Sequence, residues 1–310
     1  MQDMFGPIEL LTSDKLIDDL YSEEVVSTDE IDKNYPVNQY FVLRSNQDEK
    51  KTVLAKLNKD KNLEKIISRN DFNLCGIKPK DSKQVAFTQS LISDDILMPV
   101  CIGNAGTGKT TLAVAYALDQ HFQNGKTIYL SKPTRLVSSS KNNAFGPIPG
   151  DVQEKFAPHI DSFITVMNKI TGERGVSYLE VLIKKQAIRF VPVEYTRGNT
   201  YEDCVFILDE VQNLTWHELK TVVSRLGENS KLILLGDPFQ IDAKMSLQET
   251  GIYYMLASNS FRESPLTSCI RLTKQYRGPI AQLVADIDNE ESNNQYNKRG
   301  FSIQYNRYTK

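Results

Sequence analysis

The sequence predicts an α/β fold: a mostly parallel sheet with helices on both faces. Short apolar runs alternate with helix-like segments through the middle of the chain, a pattern typical of strands and helices that share one sheet. A glycine-rich turn follows one apolar run, at residues 103–110, and an acidic pair, Asp209 and Glu210, ends another. Because such folds bind ligands at the carboxyl ends of their strands, we expect a ligand site at this edge.

Residues 103–110 form a complete G-x-x-x-x-G-K-[ST] phosphate-binding loop. The apolar run 96–102 before it predicts a buried strand, and residues 111–118 after it predict a helix. We expect Lys109 to reach the β and γ phosphates of ATP and Thr110 to ligate Mg²⁺. The residues expected to contact the nucleotide are Gly103, Asn104, Ala105, Gly106, Thr107, Gly108, Lys109, Thr110 and Thr111.

A second predicted strand, at residues 205–208, leads into Asp209 and Glu210. We expect Asp209 to complete the Mg²⁺ shell and Glu210 to polarise the attacking water. With Gln212 the stretch has the form D-E-x-Q, which is typical of nucleic-acid-stimulated ATPases rather than of small-molecule kinases. We therefore also assign Gln212 to the nucleotide site.

A third predicted strand, at residues 231–235, ends in Gly-Asp-Pro-Phe-Gln at positions 236–240. This turn resembles motif III of superfamily-one helicases. The resemblance implies that Gln240 senses the γ-phosphate and couples hydrolysis to a nucleic-acid groove. The alternative is a turn without a ligand, since Gly, Asp and Pro favour turns in any protein.

Residues 80–285 resemble the PhoH family of ATPases through six ordered stretches: 103–110, 149–155, 195–198, 207–213, 225–227 and 236–242. The resemblance implies a RecA-like P-loop fold, ATP and Mg²⁺ as ligands, and a hexameric ring. Residues 38–44 and 76–79 resemble the lead-in found where a PIN ribonuclease domain precedes such an ATPase. The chain thus looks like the second half of a fusion of that kind, with a PIN-type ribonuclease as its partner.

Two departures from the family pattern stand out. Residues 145–151 read Phe-Gly-Pro-Ile-Pro-Gly-Asp, where the family usually has Phe-Leu before Pro-Gly-Asp. The family often shows Arg-Gly-Arg where this chain has Arg197, Gly198 and Asn199. The second change removes one positive charge, which puts any role of that second arginine in doubt.

Three parts are expected along the chain: an N-terminal extension at 1–76, an ATPase core at 77–288 and a polar tail at 289–310. In the extension, Ser13 is predicted to cap a short helix at 14–21. Residues 25–35 are expected to be irregular, and strands are predicted at 40–44 and 52–57. Further core strands are predicted at 127–130 and 187–193, with Pro192 ending the latter. The tail is predicted to add an edge strand at 300–305.

A superfamily-one helicase needs two RecA-like folds, and the residues after Gln240 are too few for a second. We therefore expect a ring in which a neighbouring copy supplies an arginine to each ATP site. An ordinary surface role is the alternative for each candidate. The candidates are Arg197, Arg225, Arg271 and Arg277, with Arg197 and Arg277 assigned to catalysis.

Base and nucleic-acid contacts have weaker candidates. Gln84 precedes the phosphate loop, and its amide can donate to and accept from an adenine edge. Residues 132–135 and Lys141 are candidates for contacts with a nucleic-acid backbone. A solvated surface is the alternative for each of them.

Composition sets the remaining limits. The chain is 40% hydrophobic and 25% charged, which predicts a soluble globular protein, and no apolar run is long enough to span a bilayer. The four cysteines lack C-x-x-C spacing, which favours a reducing cytoplasm and argues against a zinc site. Because the net charge is −2, nucleic acid would need a local basic patch. Trp216 and the three histidines are expected to be structural.

Two function classes follow. One is an ATP-driven helicase or remodeller of single-stranded nucleic acid, with RNA favoured. The other is an ATP-dependent assembly switch that unwinds nothing. Stimulation of ATP hydrolysis by single strands would separate them.

Overall fold

The computed structural model describes residues 6–67 except 33, 71–133, 152–172, 176–237, 240–241 and 245–276, with the single residues 278, 280 and 283. Within these ranges the chain forms a five-stranded sheet and a six-stranded sheet. The predicted fold class is confirmed, because the larger sheet is parallel throughout and helices cover both of its faces. The strand predicted at 300–305 lies outside the described residues.

The smaller sheet contains β1 (Ile8–Thr12), β2 (Val25–Val26), β3 (Tyr40–Ser45), β4 (Thr52–Leu57) and β5 (Leu63–Lys65), in the order β1-β3-β4-β5-β2. Helix α1 (Asp14–Glu23) packs on it, and the hydroxyl of Ser13 accepts a hydrogen bond from the Leu16 N–H, as a helix cap should. The expectation that residues 25–35 are irregular is wrong at their start. There Val26 is buried against α1 and pairs with Leu63.

The larger sheet contains β6 (Met98–Gly103), β7 (Thr127–Ser131), β8 (Ile188–Phe190), β9 (Cys204–Leu208), β10 (Lys231–Gly236) and β11 (Thr267–Leu272). Their order is β11-β6-β10-β9-β7-β8. The predicted core strands are all present, and β8 ends before Pro192, as expected. Strand β10 therefore lies between the strand that leads into the phosphate loop and the strand that ends in the acidic pair.

Two hydrophobic clusters enclose the larger sheet. On one face lie α2 (Ser82–Ile92), α3 (Lys109–Asn124), α4 (Val152–Thr171) and α5 (Val176–Lys184); on the other lie α6 (Trp216–Val223), α7 (Gly251–Ala257) and α8 (Asn259–Arg262). Alternate residues of β9 point into opposite clusters, with Ile207 in one and Phe206 in the other. Because both faces are covered, this strand is apolar throughout rather than alternating.

The smaller sheet packs against the unit that contains the larger sheet through specific hydrogen bonds. The amide of Asn38 donates to the carbonyl oxygens of Pro265 and Thr267, each at 2.9 Å. The hydroxyl of Ser90 in α2 lies 2.9 Å from the buried Tyr40 hydroxyl in β3. The N-terminal strands are thus fixed beside α2 and β11. No described helix has the length and apolar character required to cross a membrane.

Candidate functional site

The phosphate loop begins where β6 meets a close neighbour. Gly103 has φ +153°, and a Cβ at this position would overlap the carbonyl oxygen of Leu272 in β11. Gly106 and Gly108 also have positive φ, at +83° and +95°. Only glycine adopts these conformations without strain, so the loop can curl tightly into the first turn of α3. The backbone N–H groups at that helix start form an anion-binding concavity.

The Lys109 side chain lies across the loop. Its ammonium donates hydrogen bonds to the carbonyl oxygens of Gly103 and Asn104, the latter at 3.0 Å. Since a phosphate oxygen is a stronger acceptor for an ammonium than a neutral carbonyl, a bound phosphate would compete for this group. Lys109 is therefore placed to neutralise a phosphate chain held in the loop.

The acidic pair faces the loop from the end of β9. The hydroxyl of Thr110 lies 3.4 Å from Oδ2 of Asp209. Burial raises the pKa of Asp209, and Glu210 adds to the rise, while the ammonium groups of Lys132 and Lys109 oppose it. The backbone N–H of Glu210 donates to Oδ1 of Asp209 at 2.9 Å, and Glu210 has left-handed backbone angles, φ 58° and ψ 36°.

These groups fit a magnesium ion. Thr110 and Asp209 offer a hydroxyl and a carboxylate oxygen side by side, which are the hard ligands that Mg²⁺ prefers. Among the described residues no cluster of three or more His, Cys, Asp or Glu side chains could hold a metal by itself. Mg²⁺ in nucleotide sites is commonly held by one or two protein groups together with substrate phosphates. The pair of ligands matches that arrangement.

Gln212 connects the loops that follow β9 and β10. It is fully buried, and its amide nitrogen donates to Oε2 of Glu210 at 2.6 Å and to the carbonyl oxygen of Gln240 at 3.3 Å. Its amide oxygen accepts from the N–H of Asp237 at 2.9 Å. A Cβ at Gly236 would come within 3.1 Å of that oxygen, so a side chain there would disturb the link. The side chain of Gln240 itself is exposed.

Gln84 is buried beside the phosphate loop. Its amide nitrogen donates to the carbonyl oxygen of Thr107 at 2.8 Å, and its amide oxygen accepts from the N–H of Lys80 at 2.8 Å. Both polar groups of the side chain are therefore engaged by the protein, where they hold the loop to α2. Recognition of adenine by Gln84 stays a prediction.

The arginine candidates are spread over the core. Arg197 is exposed, with Nη2 3.3 Å from Nε2 of His217. Arg225 lies near the starts of β9 and β10, and its carbonyl oxygen accepts from the N–H of Tyr201. Arg271 is in β11. Arg277 lies outside the described residues, as do Arg135, Lys141 and the motif at 149–151.

Lys132 belongs to the site, although the sequence indicated only a contact with nucleic-acid backbone. Its ammonium lies 3.9 Å from Oδ2 of Asp209 and 3.9 Å from Oε1 of Glu210. The sequence places Lys132 directly after β7, but only the pairing of β7 with β9 in the structure shows that the two strands end at the same edge.

Tyr276 was also missed. Its N–H donates to the carbonyl oxygen of Gly106 at 3.0 Å, and its hydroxyl donates to Asp81 at 2.5 Å. The ammonium of Lys80 lies 4.7 Å from the centre of its ring. No local sequence pattern marks this contact, because it depends on β11 lying beside β6.

A protein-family model and individual known proteins both match this chain, and they carry the same family name. A protein-family model described as "PhoH-like protein" matches residues 76–287. "Protein PhoH2" of Bacillus subtilis (strain 168) is 30% identical over 288 residues, which is 91% of this chain and 64% of that protein. "Protein PhoH" of Escherichia coli (strain K12) is 33% identical over 179 residues, which is 57% of this chain and 45% of that protein.

Solved structures give a more distant likeness. The crystal structure of Pif1 helicase from Candida albicans is 18% identical, covers 68% of this chain and 43% of that chain, and has a TM-score of 0.37. The chain spans between 45% and 64% of the length of the two curated relatives.

Proposed function

Because the chain belongs to the PhoH family, we propose that it is a Mg²⁺-dependent ATPase that acts on single-stranded nucleic acid, with RNA favoured, as an ATP-driven helicase or remodeller. One observation carries this proposal. The buried amide of Gln212 connects the carboxylate of Glu210 to the loop after β10. A link of this kind lets a change in that loop alter the orientation of Glu210.

The residues divide the hydrolytic work as follows. The N–H groups of the phosphate loop and the ammonium of Lys109 would hold the phosphate chain, and Thr110 and Asp209 would hold the metal. Mg²⁺ held there would supply neutralisation of the negative charge on the phosphate chain. Glu210 orients the attacking water and accepts its proton, and Gln212 fixes the direction of that carboxylate.

The test of the nucleic-acid component is the rate of ATP hydrolysis with and without single strands. We expect oligo(U) to raise kcat, oligo(dT) to raise it less, and duplex RNA of the same sequence to have the smallest effect. A matched series with Gln212→Leu should show reduced stimulation. Equal rates under all conditions would remove nucleic acid from the proposal while leaving the ATPase in place.

A ring completes the ATP site in this proposal. The described residues contain one parallel sheet with one set of nucleotide motifs, and a second such sheet that could close the site is absent from them. We propose a ring of six, in which Arg197, Arg225, Arg271 or Arg277 reaches the neighbouring site. Mixing Lys109→Ala chains with chains that lack the correct arginine should restore part of the ATPase activity. At some subunit interfaces an intact phosphate loop from one chain then meets an intact arginine from its neighbour. A fully active monomer in light scattering would refute the ring.

An assembly switch is the second candidate. It is favoured by the net charge of −2 and by the position of Lys132, whose ammonium faces the site carboxylates. In that case ATP binding would change the mass of the assembly, and single strands would leave the hydrolysis rate unchanged.

A further inference from the structure

Two exposed aromatic side chains form a pair on the surface beside the acidic loop. Trp216 begins α6 and is 36% exposed, and Tyr254 lies in α7 and is 57% exposed. Their ring centres are 5.0 Å apart, with the planes inclined by 37°. We propose that this pair, here called the aromatic platform, stacks against bases of a single-stranded nucleic acid. The inference rests on the proposed function and names where its nucleic acid binds.

Two basic side chains lie on the Trp216 side of the platform, where they can contact a phosphate backbone. Arg197 lies against His217, the residue after Trp216. Lys220 follows Trp216 by one helical turn and is exposed. The nearest acid on the same helix, Glu218, accepts hydrogen bonds from the N–H and the hydroxyl of Thr215, at 2.9 and 2.7 Å, so it is bound to the helix start. Aromatic faces flanked by cations are typical of surfaces that bind single strands, since every base offers a ring face.

The platform is connected to both loops of the nucleotide site. Thr215, which caps α6, pairs with Thr250, which caps α7. The N–H of Gly251 donates to the carbonyl oxygen of Leu214 at 2.6 Å. A Cβ at Gly251 would lie 2.7 Å from the carbonyl oxygen of Thr215, so glycine allows the two segments to touch.

The contact between Thr215 and Thr250 relates the platform to the nucleotide site. The segment ending at Thr215 begins at the acidic pair, and the segment ending at Thr250 follows the loop that Gln212 holds. A base that moves Trp216 relative to Tyr254 therefore acts on both sides of the Gln212 link. Binding of a strand at the platform can thus change the orientation of the Glu210 carboxylate.

A second exposed aromatic pair provides a matched control. Phe122 and Tyr178 are each 47% exposed, with ring centres 6.0 Å apart. Phe122 lies near the C-terminal end of α3, at the sheet edge opposite the phosphate loop. Exposure and ring separation are similar in the two pairs, but this pair lies at the end of α3 that is far from the phosphate loop, so we expect no strand to bind there.

The test uses the fact that Trp216 is the only tryptophan in the chain. We expect oligo(U) and oligo(dT) of about 12 nucleotides to quench its emission. The quenching should saturate at the concentration at which a fluorescein-labelled strand shows full binding by anisotropy. Trp216→Leu and Tyr254→Leu should each weaken binding about 5- to 100-fold. Trp216→Phe should retain most of the affinity, and Tyr178→Leu should match wild type.

The outcomes separate this inference from the proposed function. If strands bind and stimulate hydrolysis while the emission and the affinities of the leucine variants stay unchanged, the platform is wrong and the ATPase proposal stands. If strands neither bind nor stimulate, the nucleic-acid proposal fails and the platform fails with it. An emission that changes with protein concentration alone, together with a rise in mass, would mean that a second copy covers the pair, which also overturns the inference. The wild-type emission decides the question even if a leucine variant misfolds.

Discussion

The amide of Gln212 donates a hydrogen bond of 2.6 Å to the carboxylate of Glu210. Gln212 is fully buried, so its amide is shielded from water, whereas the Glu210 carboxylate is partly exposed. The other end of the same amide accepts from the N–H of Asp237, in the loop after the neighbouring strand. The carboxylate proposed to activate water is therefore oriented by a residue that also touches the second loop.

Replacing Gln212 with leucine should lower kcat about 10- to 100-fold, as loss of an orienting hydrogen bond does in other sites, with little change in KM for ATP. The free energy of unfolding should fall by about 1–3 kcal/mol, because the N–H of Asp237 loses its partner. Steady-state kinetics and urea denaturation measure the two effects. Gln123→Leu, on the exposed face of α3, is the control. Wild-type turnover in Gln212→Leu would contradict the orienting role.

Lys109→Ala and Glu210→Gln should separate binding from chemistry. Without Lys109 the phosphate charge is not neutralised, so both ATP affinity and hydrolysis should fall sharply. Glu210→Gln should keep ATP bound and slow hydrolysis by a factor on the order of 10² to 10⁴, since only proton acceptance is lost. Titration calorimetry and single-turnover rates measure the two quantities. If Glu210→Gln hydrolyses ATP normally, another residue activates the water.

Asp209→Asn should stabilise the nucleotide-free protein while abolishing Mg²⁺-dependent hydrolysis. Burial raises the pKa of Asp209 above its ordinary value of 3.8. The folded state therefore holds the proton more tightly than the unfolded state, and stability falls as the pH rises from the ordinary pKa to the raised one. Removing the charge should add about 0.5–2 kcal/mol at neutral pH.

Thermal melts at several pH values measure this effect. Asp209→Asn should flatten the fall in stability, and Asp95→Asn, on an exposed turn after α2, should leave it as in wild type. Equal melting curves for wild type and Asp209→Asn at neutral pH would show that the neighbouring lysines fully compensate the buried charge.

Lys231 should make stability rise with pH in the alkaline range. It is buried at the start of β10, where its ammonium donates to the carbonyl oxygens of Leu91 and Ser93 at 2.5 and 2.7 Å. Burial lowers its pKa from 10.5 to about 8. Between these values the unfolded chain binds the proton more tightly, so stability should increase with pH, by a total of about 3 kcal/mol.

Lys231→Met should lack this increase. Urea denaturation at about pH 7.5 and about pH 9.5 measures it, and the difference between variants removes the contribution of other groups. Lys59→Met, at an exposed position, should behave as wild type. Identical pH profiles for Lys231→Met and wild type would mean that Lys231 is not the group that titrates.

The sequence was sufficient for the elements whose signals are local. The phosphate loop lies between β6 and α3 as predicted, Ser13 caps α1, and the core strands at 127–130, 205–208 and 231–235 are present. Each of these depends on neighbours within a few residues, through apolar runs, turn glycines or a capping hydroxyl. The short strand β2 was not predicted, because its pairing with β5 joins residues far apart in the chain.

The sequence by itself determined the fold class and the position of the phosphate loop, because glycine spacing and strand hydrophobicity are properties of consecutive residues. Only the tertiary structure decided that Lys132 faces the acidic pair, that Tyr276 contacts Gly106, and that Trp216 lies beside Tyr254. Strand order brings these partners together across long stretches of chain, since parallel strands require crossover connections. Periodicity along the sequence fixes which face a residue occupies, and packing alone fixes which residue it meets there.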